Sequence, residues 1–132
     1  MTDTKPLRAI GAAAFKIAES KGWWEFAKRA PSDGDAPCIA GLTMTPTDVT
    51  AQLALVMTEI AEAVECVRDD DYAPREHPTK PGKPEGLPSE LADVIIRVMQ
   101  LSHALGIDID EAIKVKMAHN AVRVHRHGGR RL

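Results

Sequence analysis

The chain has 132 residues, a formal net charge of −2, 44% hydrophobic residues and 27% charged residues. This balance predicts one folded domain over residues 1–132 and excludes disordered and collagen-like chains. The small net charge makes nucleic acid an improbable partner, and the sequence lacks the run of about 18 apolar residues that a membrane span needs. Without a secretory segment, and with Cys38 and Cys66 outside any metal-finger spacing, we expect a soluble cytoplasmic protein with reduced thiols.

Few aromatic residues and many aliphatic ones favour an all-α fold, which in a chain this short often completes its core by oligomerising. The first helix is predicted from about Pro6 to Ser20, where Lys21-Gly22 stops it. A long loop rich in proline and glycine follows it as far as Gly41. The apolar stripe of this helix consists of Leu7, Ile10, Ala14, Ile17 and Ala18.

The second helix is predicted to begin at Thr45, since a hydroxyl N-cap, Pro46 and Asp48 are typical of a helix start. It runs to about Asp69. Its apolar stripe consists of Leu53, Val56, Met57, Ile60, Val64 and Val67.

The segment 72–88 contains five prolines, which predict a connector rather than a helix. A third helix is expected from Ser89 to about Leu105, before Gly106, with an aliphatic inner face. Asp108 with Glu111 predicts the cap of a fourth helix, which should end near Gly128-Gly129. The stripe of the third helix consists of Leu91, Val94, Ile95, Val98, Leu101 and Ser102.

Two acidic pairs stand on the second and third helices. Glu59 and Glu62 are three residues apart, as are Glu90 and Asp93, so each pair shares one helix face. If the helices pack side by side, the four carboxylates meet and need a cation to offset their repulsion. Oxygen ligands alone indicate Mg²⁺, for which Mn²⁺ can substitute. The simpler interpretation, a solvated acidic face, is the usual one for either pair taken alone.

These motifs resemble the E-x-x-E and E-x-x-D motifs of MazG-like all-α nucleoside triphosphate pyrophosphohydrolases. The resemblance covers about residues 45–132, including Lys116-Met-Ala-His-Asn120-Ala-Val-Arg123 and the ending His127-Gly-Gly-Arg-Arg-Leu132. It departs from many members at Thr58, where they carry a second Glu.

The resemblance implies a four-to-five-helix bundle, a homodimer or homotetramer, and Mg²⁺-dependent hydrolysis of (deoxy)nucleoside triphosphates to monophosphate and pyrophosphate, a role in nucleotide-pool housekeeping. The implied metal ligands are the four carboxylates. Glu59 and Glu62 are the implied catalytic residues, since a carboxylate among the ligands would orient or deprotonate the attacking water.

The last helix carries Lys116, Asn120 and Arg123 on one face, which we name the α4 polar face. Cations neutralise phosphoryl charge, so this face is predicted to bind substrate, with structural ion pairing as the alternative. The two tryptophans, Trp23 and Trp24, are expected to close one end of the core, although one could stack on a base.

Two other classes of function remain open at this stage. A ferritin-like di-iron protein is disfavoured because the helices lack Glu-x-x-His pairs. A non-catalytic helical module, which binds metal or interacts through its Arg-rich tail, is the other alternative.

Overall fold

Four α-helices and one short hairpin form the computed structural model, which describes residues 4–123. The helices are α1 (Pro6–Ser20), α2 (Pro46–Arg68), α3 (Leu87–Ala104) and α4 (Ile109–Ala121). The all-α prediction is confirmed for this range, with the four helices in the predicted order. Within residues 4–123, no helix is both long enough and apolar enough to cross a lipid bilayer.

Local capping explains where the helices begin and end. The Thr45 hydroxyl accepts from the Asp48 N–H at 3.0 Å, and the Asp48 carboxylate accepts from the Thr45 N–H at 2.8 Å, which closes a capping box on α2. Gly22 and Gly106 follow α1 and α3 with φ of 79° and 67°, a left-handed conformation that glycine adopts without strain. Asp108 caps α4 by accepting from the Glu111 N–H.

Two predicted boundaries are wrong. The third helix starts at Leu87 rather than Ser89, because Pro88 fits a first helical turn, where no N–H partner is needed. The fourth helix ends at Ala121 rather than near Gly128-Gly129, since all its residues from Glu111 onward are exposed and little packing supports further turns. The ending from His127 to Leu132 that the resemblance includes, and with it the Arg-rich tail, falls outside the described residues.

The proline-rich connector contains a small antiparallel hairpin, β1 (Arg75–Glu76) paired with β2 (Pro84–Glu85). Arg75 donates two hydrogen bonds of 2.9 Å to the Asp71 carboxylate, and the Asp71 carbonyl accepts from the Leu87 N–H. These bonds fix both ends of the hairpin between α2 and α3.

Helix α3 is central, since both α1 and α2 pack along it. At Gly11 of α1, an added Cβ would lie 2.8 Å from the Met99 carbonyl oxygen of α3, so only glycine permits this approach. Helix α4 packs on α1 instead, and its Asp110 carboxylate accepts from the Leu7 and Arg8 N–H groups at 3.1 and 2.9 Å.

The buried core lies between α1, the C-terminal half of α3 and the 21–45 segment. A 3₁₀ turn at Glu25–Ala27 follows Trp24, whose indole stacks on Phe26 with ring centroids 5.5 Å apart. Trp24 is buried as predicted, whereas Trp23 is 65% exposed. The buried core residues are Phe15, Ala18, Trp24, Ala27, Met44, Leu101 and Ala104.

The predicted inner stripes are partly wrong. On α1, Ile10 and Ile17 are exposed and Gly11, Phe15 and Ala18 are buried instead. On α3, Leu91 and Ile95 are exposed.

The largest difference is on α2, whose buried residues are Glu59, Ala63 and Cys66. Five residues of its predicted stripe are 47% to 69% exposed and form what we name the α2 outer face: Leu53, Met57, Ile60, Val64 and Val67. The helix is therefore turned so that its carboxylate side meets α3 and most of its aliphatic stripe meets solvent.

We predict that Gly11→Ala lowers the free energy of unfolding by about 1 to 2 kcal/mol, because α1 must move away from the Met99 carbonyl. Chemical denaturation measures the change. Ala13→Gly, at an exposed site of α1, measures the helix-propensity term alone. If Gly11→Ala instead raises the free energy of unfolding by about 0.5 to 1 kcal/mol, the variant shows only the higher helix propensity of alanine. That result would show that the close contact with Met99 is absent.

Candidate metal site

Three carboxylates converge between α2 and α3. One oxygen each from Glu59, Glu90 and Asp93 lies within 4.8 Å of the others, a grouping that could hold a metal ion. Glu59 is buried, and the two α3 residues are half-buried. We name these three residues the carboxylate cluster.

The antiparallel packing of α2 on α3 creates this convergence. Glu59 of α2 contacts Arg97 of α3. Glu62 lies one turn after Glu59 along α2, and it faces Glu90, which lies two turns before Arg97 along α3. The three-residue spacing within each acidic pair keeps both members on the facing sides of the helices. Of the four carboxylates predicted to meet, Glu59, Glu90 and Asp93 converge, and Glu62 lies beside Glu90 outside the close set.

Glu90 is the carboxylate of the site whose charge is least well compensated. Its Oε2 is buried and, among the described residues, has no hydrogen-bond partner. Burial, with the nearby Glu62 carboxylate next in effect, raises the pKa of Glu90 to about 7. Burial and the charge of Glu59 also raise the pKa of Asp93. Both shifts come first from burial and then from neighbouring carboxylates, so the charged form of each group is disfavoured at this site.

Among the described residues, one cation borders the carboxylate cluster. Arg97 of α3 donates from Nε to Glu59 Oε1 at 2.6 Å. This bond orients the Glu59 side chain and offsets part of its charge, and the nearby guanidinium also acts to lower the pKa of Asp93. Within residues 4–123, this single arginine lies beside four acidic side chains, which leaves the site with a net negative charge.

The available donors suit a hard divalent cation. Carboxylate oxygens are the ligands preferred by Mg²⁺ and Mn²⁺, and the unpartnered Glu90 oxygen offers an unused lone pair. Cys66 is buried nearby, and burial raises the pKa of its thiol, which disfavours a thiolate ligand. The site therefore fits Mg²⁺ better than a sulfur-seeking metal.

Glu62 is more exposed than the other three acids and stands outside the mutually close set. Among residues 4–123, neither lysine nor arginine forms an ion pair with it. Thr58, at the position where the resemblance expects another acid, is exposed, and its hydroxyl donates to the Leu55 carbonyl at 2.6 Å. It adds no ligand to the cluster.

The predicted substrate-binding side chains are elsewhere in the chain. Lys116 and Asn120 are exposed on α4, and Arg123 is exposed two residues beyond its end. Helix α4 packs on α1 rather than on the helix pair that carries the carboxylates. The structure does not bring the α4 polar face and the carboxylate cluster together within one chain, so the predicted role of that face stays a prediction.

No role of Arg97 was predicted from the sequence, although its position one turn after Asp93 places both residues on the same face of α3. It also missed a cleft of about 310 Å³ that begins at Arg97 and continues to Trp23 and Gln52. No short motif marks that cleft, since its residues come from a loop and two helices.

Comparisons of the chain with protein-family models, curated proteins and solved structures found no match. The MazG-like resemblance therefore rests on the motif residues alone.

We predict that, without divalent cations, the wild-type protein loses stability as the pH rises through about 7. The raised pKa of Glu90 means that the folded chain holds this proton more tightly than the unfolded chain, whose reference pKa is 4.5. The stabilisation is complete below about pH 4.5 and is lost above about pH 7. Thermal unfolding at a series of pH values in chelator measures it.

Glu90→Gln should flatten this dependence and raise the unfolding midpoint by about 3 °C or more near pH 8, because the buried charge is gone. Glu65→Gln is the matched control, since Glu65 is exposed and pairs with Arg68 on the same helix. Identical pH profiles for the wild type and Glu90→Gln would contradict the assigned burial of charge.

Proposed function

We propose that the chain is a Mg²⁺-dependent nucleoside triphosphate pyrophosphohydrolase that releases monophosphate and pyrophosphate. The observation that carries the proposal is the carboxylate cluster with a buried oxygen lacking a hydrogen-bond partner among the described residues, a donor set that could hold a cation. The motif resemblance supplies the reaction, since clustered carboxylates alone do not specify one. Mg²⁺, when bound, supplies charge neutralisation at the phosphate oxygens.

Glu59, Glu90 and Asp93 would hold the cation, and Glu62 would complete its ligands from the exposed side. Glu62 is also the best placed to accept a proton from the attacking water, because it reaches solvent and lacks an ion-pair partner among residues 4–123. Glu59 would contribute as a ligand that Arg97 orients.

Arg97 is the phosphate-facing cation nearest to the carboxylates. Its guanidinium can share its donors between Glu59 and a phosphate oxygen, which would hold the triphosphate against the cluster. The α4 polar face of Lys116, Asn120 and Arg123 would reach this position only from a second chain.

Glu62→Gln should lower the rate of pyrophosphate release by about 100-fold or more, because the amide cannot accept the proton of the attacking water. Pyrophosphate release from normal and modified triphosphates with Mg²⁺ measures the rate. Circular dichroism should show unchanged helicity, since Glu62 is exposed.

Glu65→Gln serves again as the control, one turn further along α2, and should retain near-wild-type turnover. Near-wild-type pyrophosphate release by Glu62→Gln would overturn the catalytic assignment. Metal binding without hydrolysis of any triphosphate would instead support the non-catalytic module.

We further propose that two copies of the chain associate through the α2 outer face. Its members follow one another at intervals of four, three, four and three residues, the spacing of a helix-pairing seam. The stripe extends over about 21 Å at 1.5 Å per residue. Exposed apolar stripes of this length are unfavourable in water unless a partner covers them.

Ile60→Glu should convert a dimer into a monomer, because a charge at the middle of the seam would be desolvated on pairing. Light scattering after size-exclusion chromatography measures the mass. Ile17→Glu, at a comparably exposed apolar site on α1, is the matched control and should leave the mass unchanged. A wild-type chain that runs as a monomer would contradict this proposal.

A further inference from the structure

A small cavity lies between α1, α3 and the turn that leads into α4, on the side of α3 that faces α1. We name it the α1–α3 cavity, and its volume is about 100 Å³. Gly11 and Gly106 line it and have no side chains that would fill it. None of the residues that line it belongs to the carboxylate cluster. Its apolar lining consists of Leu7, Ile39, Met99, Ile107 and Ile109.

Backbone hydrogen bonds hold two walls of this cavity on α3. The Ile107 N–H donates to the Ser102 carbonyl at 2.9 Å, and the Ile39 N–H donates to the Ala104 carbonyl at 2.9 Å. Both isoleucines are therefore fixed relative to the helix that forms the back of the cavity. A space with walls held in this way exists before a ligand arrives, as is usual for sites that bind small molecules.

Arg8 and His103 are the two lining side chains that can carry a positive charge. The Arg8 guanidinium is 54% exposed and lies 3.8 Å from the Asp108 carboxylate, which is too far for a hydrogen bond. Asp108 instead accepts a hydrogen bond from Lys5. The guanidinium donors of Arg8 are therefore available to an anion at the edge of the cavity.

His103 supplies a second polar group to the cavity. Its ring packs on Phe15 with ring centroids 4.9 Å apart, and among the described residues its ring nitrogens have no hydrogen-bond partner. A neutral imidazole donates one hydrogen bond and a charged imidazole donates two. The other nearby acid, Asp110, already accepts from the Leu7 and Arg8 N–H groups. The ring of His103 can therefore donate to the same anion as Arg8.

The volume of the cavity limits the size of its ligand. An apolar protein cavity of about 150 Å³ holds benzene, so about 100 Å³ suits an alkyl chain of about three or four carbons. Drug-sized ligands occupy about 300 to 1,000 Å³, which excludes a whole nucleotide. A singly charged head suits a site in which one arginine lies close to the carboxylates of Asp108 and Asp110.

We propose that the α1–α3 cavity binds a short-chain carboxylate. The alkyl chain lies among the apolar side chains, and the carboxylate accepts hydrogen bonds from Arg8 and His103. The two oxygens of a carboxylate match the paired donors of a guanidinium. The ligand contacts α1, α3 and the start of α4, so it stabilises the folded chain by mass action. This site does not depend on the proposed reaction.

The test is a titration of the full chain with butyrate, followed by the backbone amide signals in ¹H–¹⁵N NMR spectra. We expect saturable shifts of the Gly11 and Gly106 signals. Butanol has the same chain without the charge and should bind about tenfold more weakly. Inorganic phosphate lacks the chain and should leave both signals in place.

Arg8→Gln should weaken butyrate binding by about tenfold and leave butanol binding unchanged, because the guanidinium contacts only the charged head. Lys16→Gln removes another exposed cation of α1, outside the cavity, and is the matched control that should bind butyrate like the wild type. Both replaced side chains are exposed, so both variants should unfold at the wild-type temperature.

The absence of saturable shifts when butyrate is added to the wild type would overturn the site. Equal affinities for butyrate and butanol would show an apolar void without an anion site and would also overturn it. Equal loss of butyrate binding in Arg8→Gln and Lys16→Gln would show a general attraction of charge to α1 and would reject the assigned role of Arg8.

Discussion

The antiparallel contact between α2 and α3 is the constraint on which the rest of the structure depends, because it brings like charges together at a helix interface. Glu59 is buried in that interface, and Glu90 has an oxygen without a partner among the described residues. Helix pairs are normally joined by apolar side chains, and a carboxylate there is costly unless a cation or a hydrogen bond compensates it. Arg97 compensates only Glu59 directly. The remaining charge is what a divalent cation would offset if the cluster binds one.

The orientation of α2 has a second consequence, on its opposite side. Turning the acidic side towards α3 leaves the α2 outer face in solvent, including Ile60 and Val64 at the middle of the helix. A chain of this length buries a modest core, centred here on Trp24 and Met44 at one end of the bundle. Association of two chains through the α2 outer face would bury the stripe without disturbing the carboxylates. The surface that stabilises the dimer would then be different from the surface of the proposed reaction.

Helix α3 contributes to two separate sites. Towards α2, its Arg97 binds Glu59 beside the carboxylate cluster. Towards α1, its Met99 and His103 line the α1–α3 cavity. One helix would therefore carry the proposed metal ligands on one side and the proposed carboxylate-binding cavity on another.

Local rules predicted the helices well, because caps such as Thr45 and stops such as Gly106 depend on near neighbours. The convergence of Glu59 with Glu90 and Asp93 followed from three-residue spacing. The sequence could not predict which side of α2 packs on α3. The aliphatic stripe is the stronger amphipathic signal, and such a stripe normally forms the buried side of a helix. The burial of Trp24 was predicted, but the cleft beside it was not, since its lining depends on an irregular loop whose residues have no period.

The most direct test of the account is a Mn²⁺ titration of the full chain, followed by the electron paramagnetic resonance signal of the free ion. A metal site at the carboxylate cluster predicts saturable binding by the wild type, displaced by Mg²⁺ and lost in a Glu59→Gln/Asp93→Asn double variant that remains helical. Free Mn²⁺ signals that are the same with and without the wild-type protein would contradict it.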